Sequence, residues 1–314
     1  MKVINTINYP ELNEYLSNFE TVQAFEGIND DDLKDGEVII GCLKEESLRK
    51  CTKLKLYQHS MAGSDSLKKE WFPEGCMVCN ATGSFGVAIA EWSIGALIYL
   101  MRNFDSFTLN KEKHRWDRLV SKHSIYNSTV LLLGMGNIGE EIGKRLKAMG
   151  AHVEGIRRHA DDKPEWCEKI GTLDDLETML PEADVIISCL PQNDSTRRIL
   201  TKKEFLLMKK DAYFLNVGRG SVLDTSDLCE TIKSGHLAGA ALDVYEKEPL
   251  DEKSPLWDMK NVLISPHIAG CLDLDINKHL LTEIVKHNIN TLLNGGTYLN
   301  EVDFATGYRK YLGK

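Results

Sequence analysis

An arginine, a glutamate and a histidine each stand just past an apolar run in the second half of the chain. They are Arg219 in Gly218-Arg219-Gly220, Glu248 in Glu246-Lys247-Glu248-Pro249, and His267 in Pro266-His267-Ile268-Ala269-Gly270. A guanidinium between glycines at a strand end suits bidentate capture of a carboxylate. An imidazole exchanges protons near neutral pH, and a carboxylate beside it fixes its tautomer and favours its protonated form. Each residue also has a plainer reading: a surface arginine, a solvated loop acid, a structural histidine. A pairing of Glu248 with His267 would lift both above those readings, and spacing alone does not prove it.

The stretch that must position such groups runs from Thr129 to Arg158. Thr129-Val130-Leu131-Leu132-Leu133 reads as a strand buried on both faces. Gly134-Met135-Gly136-Asn137-Ile138-Gly139 follows at once. Ile138, Ile142, Leu146 and Met149 then mark one helix face, and Gly150 lies where a C-terminal cap belongs. A second run, Ala151 to Ile156, ends in Arg157-Arg158. Strand, glycine turn, helix and strand in this order are the sequence form of a dinucleotide-binding unit. Gly134 permits a tight exit from the strand, Gly136 a close approach of a pyrophosphate, and Gly139 close packing of a helix whose first N–H groups would hold the phosphates.

Further apolar runs extend the pattern on both sides. Glu37–Ile40, Leu54–Tyr57 and Met77–Cys79 read as strands of a small α/β domain, and His59 to Asp65 is a turn of small residues after the second of them. Ligands collect at the carboxyl ends of strands in open α/β sheets, so Met61-Ala62-Gly63 is a candidate for holding an anionic substrate by its N–H groups; an ordinary loop is the alternative. Phe85 to Asn103 reads as a long buried helix, and residues 104–128 as a polar connecting segment. Asp184–Pro191, Ala212–Val217, Leu237–Tyr245 and Asn261–Ile264 read as strands, and Ile276 to Leu293 as a last helix.

With 314 residues the chain suits two domains, and its net charge of −9 argues against nucleic acid or an anionic membrane as the main partner. The longest apolar stretch, Val87 to Met101, carries Glu91 and is short for a bilayer, and the N-terminus has no signal-peptide design, so a cytoplasmic protein is expected. Eight scattered cysteines offer only Cys76-Met77-Val78-Cys79 as a close pair, with no second pair to complete a zinc site; buried free thiols and no metal are the reading.

The chain resembles the D-isomer-specific 2-hydroxyacid dehydrogenases, and most closely the glyoxylate/hydroxypyruvate reductase-like members. Leu133 to Gly139 is similar to that family's cofactor turn, Asn216-Val217-Gly218-Arg219-Gly220 to its arginine motif, and Ala241 to Leu250 to its acid motif. Ser254-Pro255-Leu256-Trp257 and Ser265 to Gly270 match the closing pair, while Met61 to Asp65 is a looser match to the substrate-carboxylate loop. The resemblance implies a Rossmann doubly wound cofactor domain (103–284) inserted into a smaller flavodoxin-like α/β substrate domain (1–102 and 285–314), with closure of the cleft excluding water. It implies hydride transfer from nicotinamide C4 to the C2 carbonyl of a small 2-oxo acid, with protonation by His267, orientation of His267 by Glu248 and capture of the substrate by Arg219. The N–H groups near Met61, Ala62 and Gly63 would take the rest of the carboxylate. Gly134, Gly136, Asn137, Ile138, Gly139, Leu190, Pro191, Thr196, Val217 and Asp243 fall where the family contacts its cofactor, and a homodimer is implied.

One departure concerns cofactor choice. NAD-preferring members end the second strand with an acid for the ribose 2′-hydroxyl, whereas Arg157 stands there in this chain, followed by Arg158. Two guanidinium groups suit a 2′-phosphate, so NADP(H) is expected to be preferred, with NAD(H) possible. Formate dehydrogenases of the same superfamily have glutamine at the Glu248 position, which argues against formate. A dinucleotide-sensing corepressor on the same fold and a phosphite dehydrogenase are the competing readings.

Overall fold

The computed structural model describes residues 1–25, 27–305 and 308–310. Its strands, in chain order, are β1 (Lys2–Asn5), β2 (Glu20–Gln23), β3 (Val38–Gly41), β4 (Leu56–His59), β5 (Met77–Cys79), β6 (Thr129–Leu133), β7 (His152–Ile156), β8 (Lys169–Gly171), β9 (Val185–Ser188), β10 (Tyr213–Asn216), β11 (Gly239–Leu242) and β12 (Val262–Ile264). Apart from a short antiparallel pair, β13 (Val302–Asp303) with β14 (Tyr308–Arg309), the strands form two sheets. One has five strands in the order β2-β1-β3-β4-β5 and the other seven in the order β12-β11-β10-β9-β6-β7-β8. Every pairing in both is parallel. The seven-stranded order reverses at β6, which pairs with both β7 and β9, and this is the switch point where a doubly wound sheet opens a ligand crevice at its carboxyl edge. The five-stranded order has the flavodoxin-like form.

The chain divides into two compact units, Met1–Phe85 with Leu272–Lys314, and Gly86–Cys271. The sequence placed these joints at 102/103 and 284/285, and packing moves both. Helix Gly86–Met101 carries its buried face of alanines, Ile89 and Leu97 with the second unit, against helix Asn137–Ala148. Helix Asp275–Asn294 packs on helix Pro10–Leu16 and on β4, within the first.

Each unit has its own core. Leu131, Leu133, Ile186, Phe205 and Phe214 lie in that of the second unit, and Ile4, Ile39, Leu48 and Tyr57 in that of the first. The central strands are buried on both faces, as apolar runs in a helix-covered parallel sheet require. Strands β1, β2 and β8 lie outside the expected set, because each opens on a charged residue and carries only one or two branched apolar residues. Residues 104–128 are not wholly a connector, because Phe104–Glu112 is helical. The expected strands from Asp184 and Leu237 end early, at Ser188 and Leu242, leaving Leu190, Pro191, Asp243 and Tyr245 in the loops beyond. Among the described residues no helix is long and apolar enough to cross a membrane. The eight cysteines are thiols rather than disulfides, and burial pushes the Cys76 and Cys79 thiols up to about 12.

Candidate active site

The glycine turn leaves β6 at Gly134, whose φ of +96° places it in the region that favours glycine and whose N–H bonds the Ile156 carbonyl at 2.9 Å. A Cβ on Gly139 would collide with the Gly134 carbonyl oxygen, so the first turn of helix Asn137–Ala148 lies directly on the strand exit. That cradle of bare backbone, with Gly136 as the helix N-cap, fits a pyrophosphate at a helix N-terminus. Ile142 and Leu146 are buried as the spacing predicts, while Ile138 is half-buried and Met149 exposed. Gly139 and Gly143 complete the buried face instead, because the Trp166 ring occupies the space where a Gly143 Cβ would stand.

Arg157 and Arg158 follow β7. Arg157 is half-buried, and its Nη1 donates to the Asp162 carbonyl at 3.2 Å; Arg158 is exposed. The loop therefore also carries Asp161 and Asp162, acids that the strand end itself lacks. Beyond β9, Leu190 is buried, and the Thr196 hydroxyl donates to the Pro191 carbonyl at 2.6 Å while accepting from Asn193 N–H at 3.0 Å, so Thr196 braces its own loop. Val217, buried past β10, donates its N–H to the Ser188 carbonyl at 3.0 Å.

Glu248 and His267 meet. His267 Nδ1 and Glu248 Oε2 are 2.8 Å apart, and the other carboxylate oxygen accepts the Tyr245 N–H at 3.0 Å. With a carboxylate on Nδ1, that nitrogen carries the hydrogen and Nε2 faces away from Glu248. The pair is accessible, the imidazole being 50% and the carboxylate 37% exposed. Arg219 stands on the adjoining turn: a Cβ on Gly220 would collide with the Tyr245 carbonyl group, so the arginine loop lies against the start of the Glu248 loop. Asn216 holds that loop by donating to the Arg219 carbonyl at 3.0 Å and accepting the Gly218 N–H at 3.2 Å. Arg219 Nη1 donates to the Gly218 carbonyl at 2.9 Å.

Two supporting residues lie inside the matched motifs with no role assigned to them there. The buried Tyr245 hydroxyl lies 2.8 Å from the Leu242 carbonyl and 2.9 Å from that of Ser265, tying the ends of β11 and β12, and burial raises its pKa. Ser265 bonds Asp243 through its hydroxyl. A hydroxyl two residues before the histidine was the available clue. In the first unit Met61, Ala62 and Gly63 follow β4, with the Met61 carbonyl accepting the Ala81 N–H at 2.9 Å. Glu11, His279 and Glu283 also gather exposed ligand atoms there, with Lys286 Nζ 2.9 Å from one carboxylate and 2.8 Å from the other.

Residues 94–269 match the family model of the D-isomer specific 2-hydroxyacid dehydrogenase NAD binding domain. The chain belongs to that family of oxidoreductases. Among curated relatives, the D-3-phosphoglycerate dehydrogenase of Methanocaldococcus jannaschii is 30% identical over 90% of this chain and 54% of its own length, so the chain spans about half of that relative. The glyoxylate reductase of Thermococcus litoralis is 33% identical over 72% of this chain and 70% of its own. Among solved structures, an NADPH-dependent glyoxylate/hydroxypyruvate reductase from Sinorhizobium meliloti, in complex with NADP and sulfate, superposes with a TM-score of 0.83 at 26% identity, over 98% of this chain and 99% of that one.

Proposed function

We propose that this dehydrogenase reduces a small 2-oxo acid of the glyoxylate/hydroxypyruvate class to the D-2-hydroxy acid, with NADPH preferred over NADH. The observation that carries the reading is the accessible His267–Glu248 pair at 2.8 Å in a chain whose relatives include glyoxylate reductases. The bound nicotinamide would supply the hydride that reduces C2. The residues supply the rest. His267, held by Glu248 on Nδ1, gives its Nε2 proton to the oxygen that gains negative charge, then regains one from solvent. Arg219 binds the substrate carboxylate with its fork of N–H donors. The N–H groups of Met61, Ala62 and Gly63 are proposed as a second set of carboxylate donors. Arg157 and Arg158 support the cofactor preference, because two guanidinium groups in place of a ribose-binding acid suit a 2′-phosphate. A cytoplasmic homodimer belongs to the same reading, and light scattering tests the dimer.

The test is loss of nicotinamide absorbance with NADPH or NADH and glyoxylate, hydroxypyruvate, pyruvate or 2-oxoisocaproate. Fast NADPH oxidation with the small acids is expected. A faster reaction with the branched acid moves the substrate class and leaves the chemistry in place. Cofactor binding without turnover of any 2-oxo acid overturns the proposal in favour of a dinucleotide sensor.

A further inference from the structure

We infer that Asp243 is the positioning residue of the acid–base histidine: its buried carboxylate latches the turn that aims His267. The inference rests on the proposed reduction, and it gives Asp243 a different task from the cofactor contact that the family resemblance implies. Asp243 lies just past β11 and is 2% exposed. Its Oδ1 accepts the Ser265 hydroxyl at 2.5 Å and the Ile268 N–H at 2.8 Å, its Oδ2 accepts the Ala269 N–H at 3.0 Å, and its own carbonyl accepts the His267 N–H at 2.9 Å. Every residue from Ser265 to Ala269 except Pro266, which has no N–H to give, is bonded to this one aspartate.

The turn needs such a latch. His267 sits at φ +55°, a left-handed conformation that strains a side-chain-bearing residue and persists only where the surroundings over-determine it. A carboxylate offers about four acceptor positions, and three are filled from the turn, so most of its hydrogen-bonding capacity is directed at His267's neighbours. An amide cannot replace it. Both oxygens face donors, and either orientation of an asparagine sets NH₂ against an N–H or a hydroxyl hydrogen.

The experiment uses the whole chain as wild type, Asp243→Asn and Ser265→Ala. It reads NADPH affinity by fluorescence, kcat with glyoxylate and hydroxypyruvate at saturating cofactor, and amide hydrogen exchange across residues 262–271. For Asp243→Asn the expected result is an NADPH Kd within about threefold of wild type and a kcat lower by about 10²-fold. Exchange at 268 and 269 should quicken while the 134–139 turn keeps its protection. Ser265→Ala, which removes one donor, should move kcat and exchange in the same direction by less, and it carries the test if Asp243→Asn fails to fold. Weakened NADPH binding with kcat retained would make Asp243 a cofactor contact and overturn the inference, as would unchanged exchange at 268 and 269. A wild type that reduces no 2-oxo acid defeats the reduction reading alone; exchange then decides the latch.

Discussion

The carboxyl ends of the two parallel sheets are made polar in opposite ways. In the seven-stranded sheet the chemistry-bearing side chains stand outward: His267 and Glu248 are accessible, and the buried groups behind them, Asp243 and the Tyr245 hydroxyl, bind the backbone that carries them. In the five-stranded sheet the polar side chains at the strand ends turn inward. Gln58, His59, Ser60, Ser64 and Asn80 are all buried, and Gln58 Nε2 donates to the His59 and Asn80 carbonyls at 3.1 and 3.0 Å. Such side chains shape loops that leave main-chain N–H groups to meet a ligand, the role proposed for Met61 to Gly63. The first arrangement suits proton transfer, which needs a titrating group in the open; the second suits fixed recognition of an anion.

The sharpest way to break this contrast is His267→Ala. A positioned acid contributes about 10²–10⁴-fold, so kcat with glyoxylate should fall by that order while NADPH affinity stays put. Glu248→Gln should follow in the same direction, because an amide no longer holds Nδ1–H as a charged acceptor. If both variants turn over at the wild-type rate, the outward groups of the second unit are not its chemistry. Next in size is Arg157→Ala. Loss of a charge-assisted contact to a 2′-phosphate should lower the NADPH:NADH ratio of kcat/KM by about 10–100-fold, chiefly through NADPH. An unchanged ratio would leave the Asp162 carbonyl as that guanidinium's whole purpose.

How much of this was readable from the sequence follows from the same contrast. The cofactor turn is written in consecutive residues, because its constraint is steric and local: Gly134 must be left-handed and Gly139 must lack a Cβ. Apolar runs buried on both faces announced the central strands, whereas β1, β2 and β8 each open on a charged residue and hold only one or two branched apolar residues. Arg219, Glu248 and His267 come from three different strand ends, so the pairing of Glu248 with His267 and the approach of the Arg219 loop to the Glu248 loop are properties of strand order, and only family resemblance placed the three together beforehand. For Asp243 the resemblance implies a cofactor contact, and its hydrogen bonds to the His267 turn emerge only in the fold, since nothing in a linear sequence says which way a carboxylate turns. The joints between the units fell elsewhere because the sequence shows that helix Gly86–Met101 is apolar and not which core it joins.

Gly139→Ala measures the steric part alone. The added methyl meets backbone, which cannot swing aside as a side chain can, so overpacking of about 1–3 kcal/mol is expected. Its size in melting temperature is about 2–4 °C per kcal/mol for a unit of this length. NADPH affinity should fall with it, since the same shift widens the turn. A variant with wild-type Tm and affinity would show that the helix is free to slide and that the cradle is not rigid.

The smallest effect belongs to the inward-facing side chains, and His59 isolates it. Its Nδ1 lies 3.3 Å from the Tyr57 hydroxyl and 3.7 Å from Cys42 Sγ. Burial lowers its pKa, against smaller opposing contributions from the backbone of Gly41 and Gly63 and from Asp65. The folded chain therefore prefers the neutral imidazole. An unfolded histidine begins to bind protons near pH 6.5, so below that pH the unfolded state takes up more protons than the folded one and acid favours unfolding. The stability that the neutral ring provides is fully present above about pH 6.5 and is lost as pH falls toward the depressed folded value. His59→Gln, which cannot titrate, should reduce the acid-induced fall in Tm between pH 7.5 and 5.5 by about 2–4 °C relative to wild type. Parallel declines in the two proteins would mean that the ring accepts a proton in place, and that the first unit's strand ends are less closed to water than their burial implies.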